Sequence, residues 1–133
     1  MADEAQYAIR SDTDVVFVRQ AGRKLAQELG FAGSDLILIA TAISELARNI
    51  LEYAKLGEVR LCPVERDGRQ GLTVIAEDHG PGIPDVALAM QDGYSTSRSL
   101  GLGLPGTRRL MDEFTIDSRV GEGTIVTVTK WIT

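Results

Sequence analysis

The residues with the most chemical content lie in the stretch Glu77-Asp78-His79-Gly80-Pro81-Gly82-Ile83-Pro84. They end a run of strand composition, Leu72-Thr73-Val74-Ile75-Ala76, with an acid and two glycines in the order Asp-x-Gly-x-Gly. Glycines at a strand end let the backbone turn sharply and approach a flat ligand closely. A carboxylate fixed by the strand accepts a hydrogen bond from the ligand's amino group. Adenine meets that description. Alone, the cluster is also ordinary turn chemistry, in which Asp78 would only cap the turn that follows.

Two further stretches carry chemistry. Glu45 and Asn49, in Ser44-Glu45-Leu46-Ala47-Arg48-Asn49-Ile50, are one helical turn apart. An Asn carbonyl is a hard oxygen ligand suited to Mg²⁺, which keeps several waters and bridges to substrate phosphates. A Glu one turn earlier is placed to take a proton from an attacking hydroxyl or water, although on an exposed helix face both would be solvent contacts. Downstream, Gly101-x-Gly103-x-x-Gly106 has the spacing of a dinucleotide fingerprint, but it follows a polar loop rather than a strand and lies late in the chain. It reads better as a glycine loop opening a helix whose free N–H groups hold phosphates. Arg98, just before it, can offer a guanidinium to a terminal phosphate or remain solvated. Thr124, after Gly121-Glu122-Gly123, either supports the adenine site by a hydroxyl contact or simply starts a strand. His79 has no recognisable Asp or Ser partner and is not assigned a catalytic or phospho-acceptor role.

The elements that must position these residues follow from periodicity. Tyr7 to Arg10 reads as a short strand. Val15, Val18, Leu25 and Leu29 define a first helix from Asp14 to Leu29, with Asp12 or Thr13 as N-cap and Gly30 beyond its end. Gly22 lies on its apolar face and lets another element pack close. Ser34 is expected to cap a second helix, whose stripe Ile39, Ile43, Leu46, Ile50 and Tyr53 runs to a stop at Gly57. Glu45 and Asn49 lie about a quarter turn from that stripe, at the margin of the core.

Glu58 to Glu65 reads as a strand in which Pro63 requires an edge or irregular position. Asp67-Gly68 supplies a hairpin turn, and Gly71 to Asp78 returns as the next strand. A short helix is expected over Pro84 to Met90, a flexible loop over Gln91 to Ser99, and a third helix over Gly103 to Asp112 with Leu104, Leu110 and Met111 inward. Phe114 to Arg119 and Thr124 to Ile132 close the chain as paired strands, with Val126, Val128 and Ile132 on one face. The sum is an α+β two-layer sandwich: a mixed, mostly antiparallel sheet with helices on one face.

The 133 residues, 44% hydrophobic and 25% charged, fit one soluble domain spanning 1–133. A single cysteine, Cys62, excludes a disulfide framework and fits a small buried hydrophobe. Neither a signal sequence nor an apolar run of membrane-spanning length is present, so the expectation is a cytoplasmic protein without membrane attachment. A net charge of −5 argues against a nucleic-acid surface, which needs clustered Lys and Arg. Phe31, Leu56 and the loop around Tyr94 are candidates for docking other proteins.

Taken in order, the Glu45–Asn49, Asp78–Gly82 and Gly101–Gly106 stretches resemble the N box, G1 box and G2 box of the Bergerat (GHKL) ATP-binding fold of type II topoisomerases, Hsp90, histidine kinases and MutL. Within that superfamily the chain resembles the small serine/threonine kinases that regulate bacterial sigma factors. The runs Thr41-Ala42-Ile43-Ser44-Glu45-Leu46-Ala47-Arg48-Asn49, Ile75 to Asp85, Arg109-Leu110-Met111-Asp112-Glu113-Phe114 and Gly121-Glu122-Gly123-Thr124 carry the likeness.

The resemblance implies one histidine-kinase-like ATPase domain, Mg²⁺ as cofactor, ATP as substrate, and phosphoryl transfer to serine or threonine of STAS-domain partners held in a stressosome scaffold. It further implies that the released kinase activates a PP2C-type phosphatase. By motif position, Glu45 would be the catalytic base, Asn49 the Mg²⁺ ligand, and Asp78 the adenine acceptor with Gly80, Gly82 and Thr124 around it. Arg98, Gly101, Gly103 and Gly106 would attend the phosphates. The alternatives are a nucleotide-gated binding module that switches partners with little or no phosphotransfer, and a plain ATPase.

Overall fold

A computed structural model describes residues 4–82, 90 and 103–132. In chain order the elements are β1 (Ala5–Ile9), α1 (Asp12–Leu29), α2 (Ser34–Tyr53), β2 (Gly57–Arg66), β3 (Arg69–Asp78), α3 (Gly103–Leu110), β4 (Glu113–Arg119) and β5 (Gly123–Trp131). Outside the described residues lie all but the last residue of the helix expected at Pro84 to Met90, the loop from Gln91 to Ser99 with Tyr94 and Arg98, and Gly101.

The strands form one sheet in the order β1-β2-β3-β5-β4, and each pairing is antiparallel, the limiting case of the mostly antiparallel sheet expected. Alternation decides which face is covered. Val59 and Leu61, Leu72, Val74 and Ala76, and Val126 and Val128 form one buried cluster with Ile39, Ile43, Leu46 and Ile50 of α2. Burying each of the larger of these side chains contributes about 1.5–3 kcal/mol. The opposite face is polar, with a Thr73–Thr129 hydroxyl pair at 2.8 Å and an Arg60–Glu77 ion pair at 3.2 Å.

Gly22 is buried on α1, and a Cβ there would run into Ile43 Cδ1. The glycine sets the close approach of α1 to α2, as its place on the apolar face suggested. Gly30 ends α1 in the left-handed region at φ 110°. The other caps differ from expectation. Ser11, not Asp12 or Thr13, is the N-cap of α1, and the Asp14 carboxylate accepts the Arg10 N–H at 2.9 Å. Gly33 at φ 62° precedes α2, so Ser34 is its first helical residue. Lys55, at φ 71°, rather than Gly57, turns the chain out of α2, and the Ala54 and Lys55 N–H groups both donate to Ile50 O at 2.9 Å. Gly57 instead starts β2, pressed against the Glu77 carbonyl. Phe31 is buried and offers no docking surface, whereas Leu56 is exposed.

β1 pairs with β2 only as far as Leu61, so Pro63 lies beyond the end of β1, where its missing N–H costs no ladder bond. Asp67 and Gly68 both have positive φ, the geometry of a two-residue type I′ hairpin. That hairpin fixes the register that carries Asp78 to the end of β3. α3 stops at Leu110, earlier than expected, because Asp112 is claimed by β5. Its N–H donates to Thr129 O at 3.0 Å and its carboxylate accepts the Trp131 N–H at 2.7 Å.

Candidate nucleotide site

On β3 the core-facing residues are Leu72, Val74 and Ala76, and the next position in that alternation is Asp78. The apolar face of the strand therefore ends in a carboxylate that is itself buried. At this point the sheet, α2 and α3 line a small pocket. Leu46 and Ile50 of α2, Ala76 and Val126 of the sheet and Leu104 of α3 give it apolar walls, while Asn49, Tyr53, Asp78 and Thr124 supply polar atoms. Apolar walls with a few convergent polar groups suit a flat heteroaromatic base.

Asp78 closes the turn that follows it: its Oδ1 accepts the Gly80 N–H at 2.9 Å. Thr124 is the cross-strand partner of Asp78, and its hydroxyl shares a 2.9 Å hydrogen bond with Ser118 Oγ. The motif glycines make their close approaches to protein. A Cβ on Gly80 would collide with Ala54, and one on Gly82, at φ 79°, with the Arg119 carbonyl. Together with the Gly121 N–H bond to Pro81 O at 2.9 Å, these contacts press the loop after β3 onto α2 and the β4–β5 turn. Gly123, at φ 127°, abuts the Asp78 carbonyl in the same way.

Asn49 lines the pocket, and its Nδ2 is buried without a hydrogen-bond partner among the described residues. Glu45 departs from expectation. It is 3% exposed rather than at the core margin, it is not among the pocket-lining residues, and its Oε1 accepts from Arg48 Nη1 at 3.1 Å. α2 packs against α1 and α3 as well as the sheet, so more of its surface is buried than the single apolar stripe marks. Gly103 is the first residue of α3 and Gly106 is buried within that helix, so the glycine run does open a helix. His79 is exposed, 3.8 Å from Glu77, and lies away from the pocket. Tyr53, expected in the buried stripe, is exposed at the pocket. Ala76 and Val126 are pocket walls that the motifs do not point to, although strand alternation puts them on the covered face. Among the described residues no three His, Cys, Asp or Glu side chains converge as a metal cage.

Residues 10–130 match the family model of the histidine kinase-like ATPase domain. The chain belongs to that family. This histidine kinase-like ATPase is 52% identical to the serine/threonine-protein kinase RsbT of Bacillus subtilis, over 99% of both chains. It is 32% identical to an anti-sigma F factor of Caldanaerobacter subterraneus, over 87% of this chain and 84% of that one. Its full-length similarity to a serine/threonine-protein kinase sets this ATPase-family member among the protein kinases. Solved structures with the same fold include the RsbU and RsbW domains of a Mycobacterium tuberculosis protein, with TM-score 0.67 and 22% identity over 99% of this chain and 34% of that one. The SiaB–SiaC complex of Pseudomonas aeruginosa follows with TM-score 0.57 and 14% identity, over 97% of this chain and 89% of that one. No helix among the described residues is long and apolar enough to cross a membrane.

Proposed function

We propose that this chain is a Mg²⁺-dependent kinase that transfers the γ-phosphoryl group of ATP to serine or threonine of STAS-domain proteins in a stressosome, acting in the cytoplasm. Once released from that scaffold, it binds and activates a PP2C-type phosphatase in a sigma-factor pathway. The observation that carries the chemistry is the convergence of Asn49, Asp78 and Thr124 on one apolar pocket, in a chain similar along its length to a serine/threonine kinase. The anti-sigma F factor relatives support the sigma-factor setting.

In this reading Asp78 accepts the adenine amino group, the Thr124 hydroxyl supports the same edge, and Gly80 and Gly82 hold the loop that shapes the base site. The phosphates extend toward the start of α3, where Gly101, Gly103 and Gly106 supply backbone N–H groups and Arg98 a guanidinium. The Asn49 side-chain carbonyl, on a residue that lines the pocket, is the hard oxygen that would hold Mg²⁺. When bound, Mg²⁺ would supply charge neutralisation to the phosphates. Glu45 takes the proton from the acceptor hydroxyl as its oxygen bonds to the γ-phosphorus and ADP leaves. Positioning and charge stabilisation supply most of the rate.

A second reading, a nucleotide-gated partner switch without transfer, draws support from the Glu45 carboxylate, which is buried, paired with Arg48 and off the pocket lining. Incubation with Mg²⁺ and γ-labelled ATP beside a STAS-domain protein of the same genome separates the two. Acid-stable label on the partner is expected. ATP binding with no label on either protein would favour the switch.

A further inference from the structure

Glu45 presents a physical problem that its assigned role does not solve. A base must be held at a fixed place and orientation, yet the Glu45 side chain is 4% exposed and does not line the pocket. A buried carboxylate needs hydrogen-bond partners. Among the described residues its ion-pair partner is Arg48, three residues on, whose Nη1 lies 3.1 Å from Glu45 Oε1 while its own side chain is 46% exposed. An ordinary i,i+3 surface pair stabilises a helix by a few tenths of a kcal/mol and has no further consequence. This pair differs, because only the cation is solvated.

Arg48 also occupies a particular position. On α2 it immediately precedes Asn49, which lines the pocket, and Arg48 itself does not line it. A guanidinium there can fix the carboxylate without contacting the nucleotide. We propose that Arg48 is a positioning residue for phosphoryl transfer, holding the Glu45 carboxylate in place and oriented so that it can accept the proton of the partner's hydroxyl. This inference rests on the kinase reading and deepens it: Arg48 acts through Glu45 and not on ATP.

The test is steady-state transfer from ATP to a STAS-domain protein of the same genome by the full chain. It is measured for wild type, Arg48→Ala, Arg48→Lys, Glu45→Gln and the Glu45→Gln/Arg48→Ala double variant, with ATP affinity by calorimetry. Arg48→Ala is expected to lower kcat about 100-fold, the lower end of what a positioned base supplies. KM for the partner and Kd for ATP should stay within about threefold, and Arg48→Lys should recover about tenfold. In the Glu45→Gln background, Arg48→Ala should cost nothing more.

A kcat for Arg48→Ala within threefold of wild type would overturn the role of Arg48 and leave the kinase reading standing. So would a loss matched by lost ATP binding, or a loss undiminished in the Glu45→Gln background. A wild-type chain that binds ATP but labels no partner would overturn the kinase reading itself, and Arg48's role with it.

Discussion

Asp78 and Thr124 face each other across the β3–β5 ladder, at the end of its register, and both side chains are buried and line the same pocket. One is the last residue of its strand and the other the second of its own. An acceptor-only carboxylate and a hydroxyl able to donate or accept are thus set side by side at one edge of an apolar slot. Such a pair can read the hydrogen-bonding edge of a purine.

Asp78→Asn keeps an oxygen for the Gly80 N–H and so preserves the turn, but replaces the charged acceptor facing the ligand. ATP affinity is expected to fall by about 10- to 100-fold, the range for a hydrogen bond to a charged group. Thermal stability should be nearly unchanged. Calorimetric titration with ATP checks this, and an unaltered dissociation constant would reject Asp78 as the adenine acceptor.

Glu45→Gln removes the base while conserving shape. Partner phosphorylation should drop by about 100-fold or more, with nucleotide affinity retained. Transfer at the wild-type rate would remove Glu45 from the chemistry, and a parallel loss of ATP binding would assign it a structural role.

Gly123→Ala places a Cβ at φ 127° against the Asp78 carbonyl and His79 Cα. Strain and collision should destabilise the protein by about 2–4 kcal/mol and weaken ATP binding, because the strand end carrying Asp78 must shift. Gly121, also at positive φ but with open space around it, is the control. Ala there should lower stability less and leave ATP affinity intact.

Glu113 predicts a pH dependence at the end of the sheet away from the pocket. Its Oε2 accepts from Trp131 Nε1 at 2.6 Å and forms an ion pair with Arg66 at 2.9 Å. These interactions, the Trp131 bond first, hold its carboxyl below the ordinary glutamate value. A depressed acid contributes stability that is fully present above the unfolded pKa of about 4.3 and is lost as pH falls through the lower folded value. Wild type should therefore melt above Glu113→Gln at neutral pH, and the gap should close on acidification below pH ~4. Denaturation followed by Trp131 fluorescence measures it, and a gap independent of pH would contradict the assignment.

Much of this architecture was legible because local chemistry left little choice. Asp67-Gly68 admits a tight hairpin, Pro63 excludes a fully paired position, and alternation through Leu72, Val74 and Ala76 puts Asp78 on the covered face. The helical stripe from Ile39 to Ile50 fixed the inner side of α2, and the motif order pointed to the family. Periodicity misjudged Glu45 because it describes one buried side of a helix, and α2 packs against α1, α3 and the sheet. Propensity misjudged the caps because Gly33 and Lys55 are set by where the chain must turn next, not by their neighbours' hydrogen-bonding preference.

The sequence by itself determined which residues stand at strand ends and helix faces, since those properties depend on near neighbours. Only the tertiary structure decided what they meet. The insertion of β5 beside β3 pairs Thr124 with Asp78, and the packing of α2 against α1, α3 and the sheet goes with a buried Glu45. Long-range pairing and burial depend on the whole packed chain, and no local window of residues contains them.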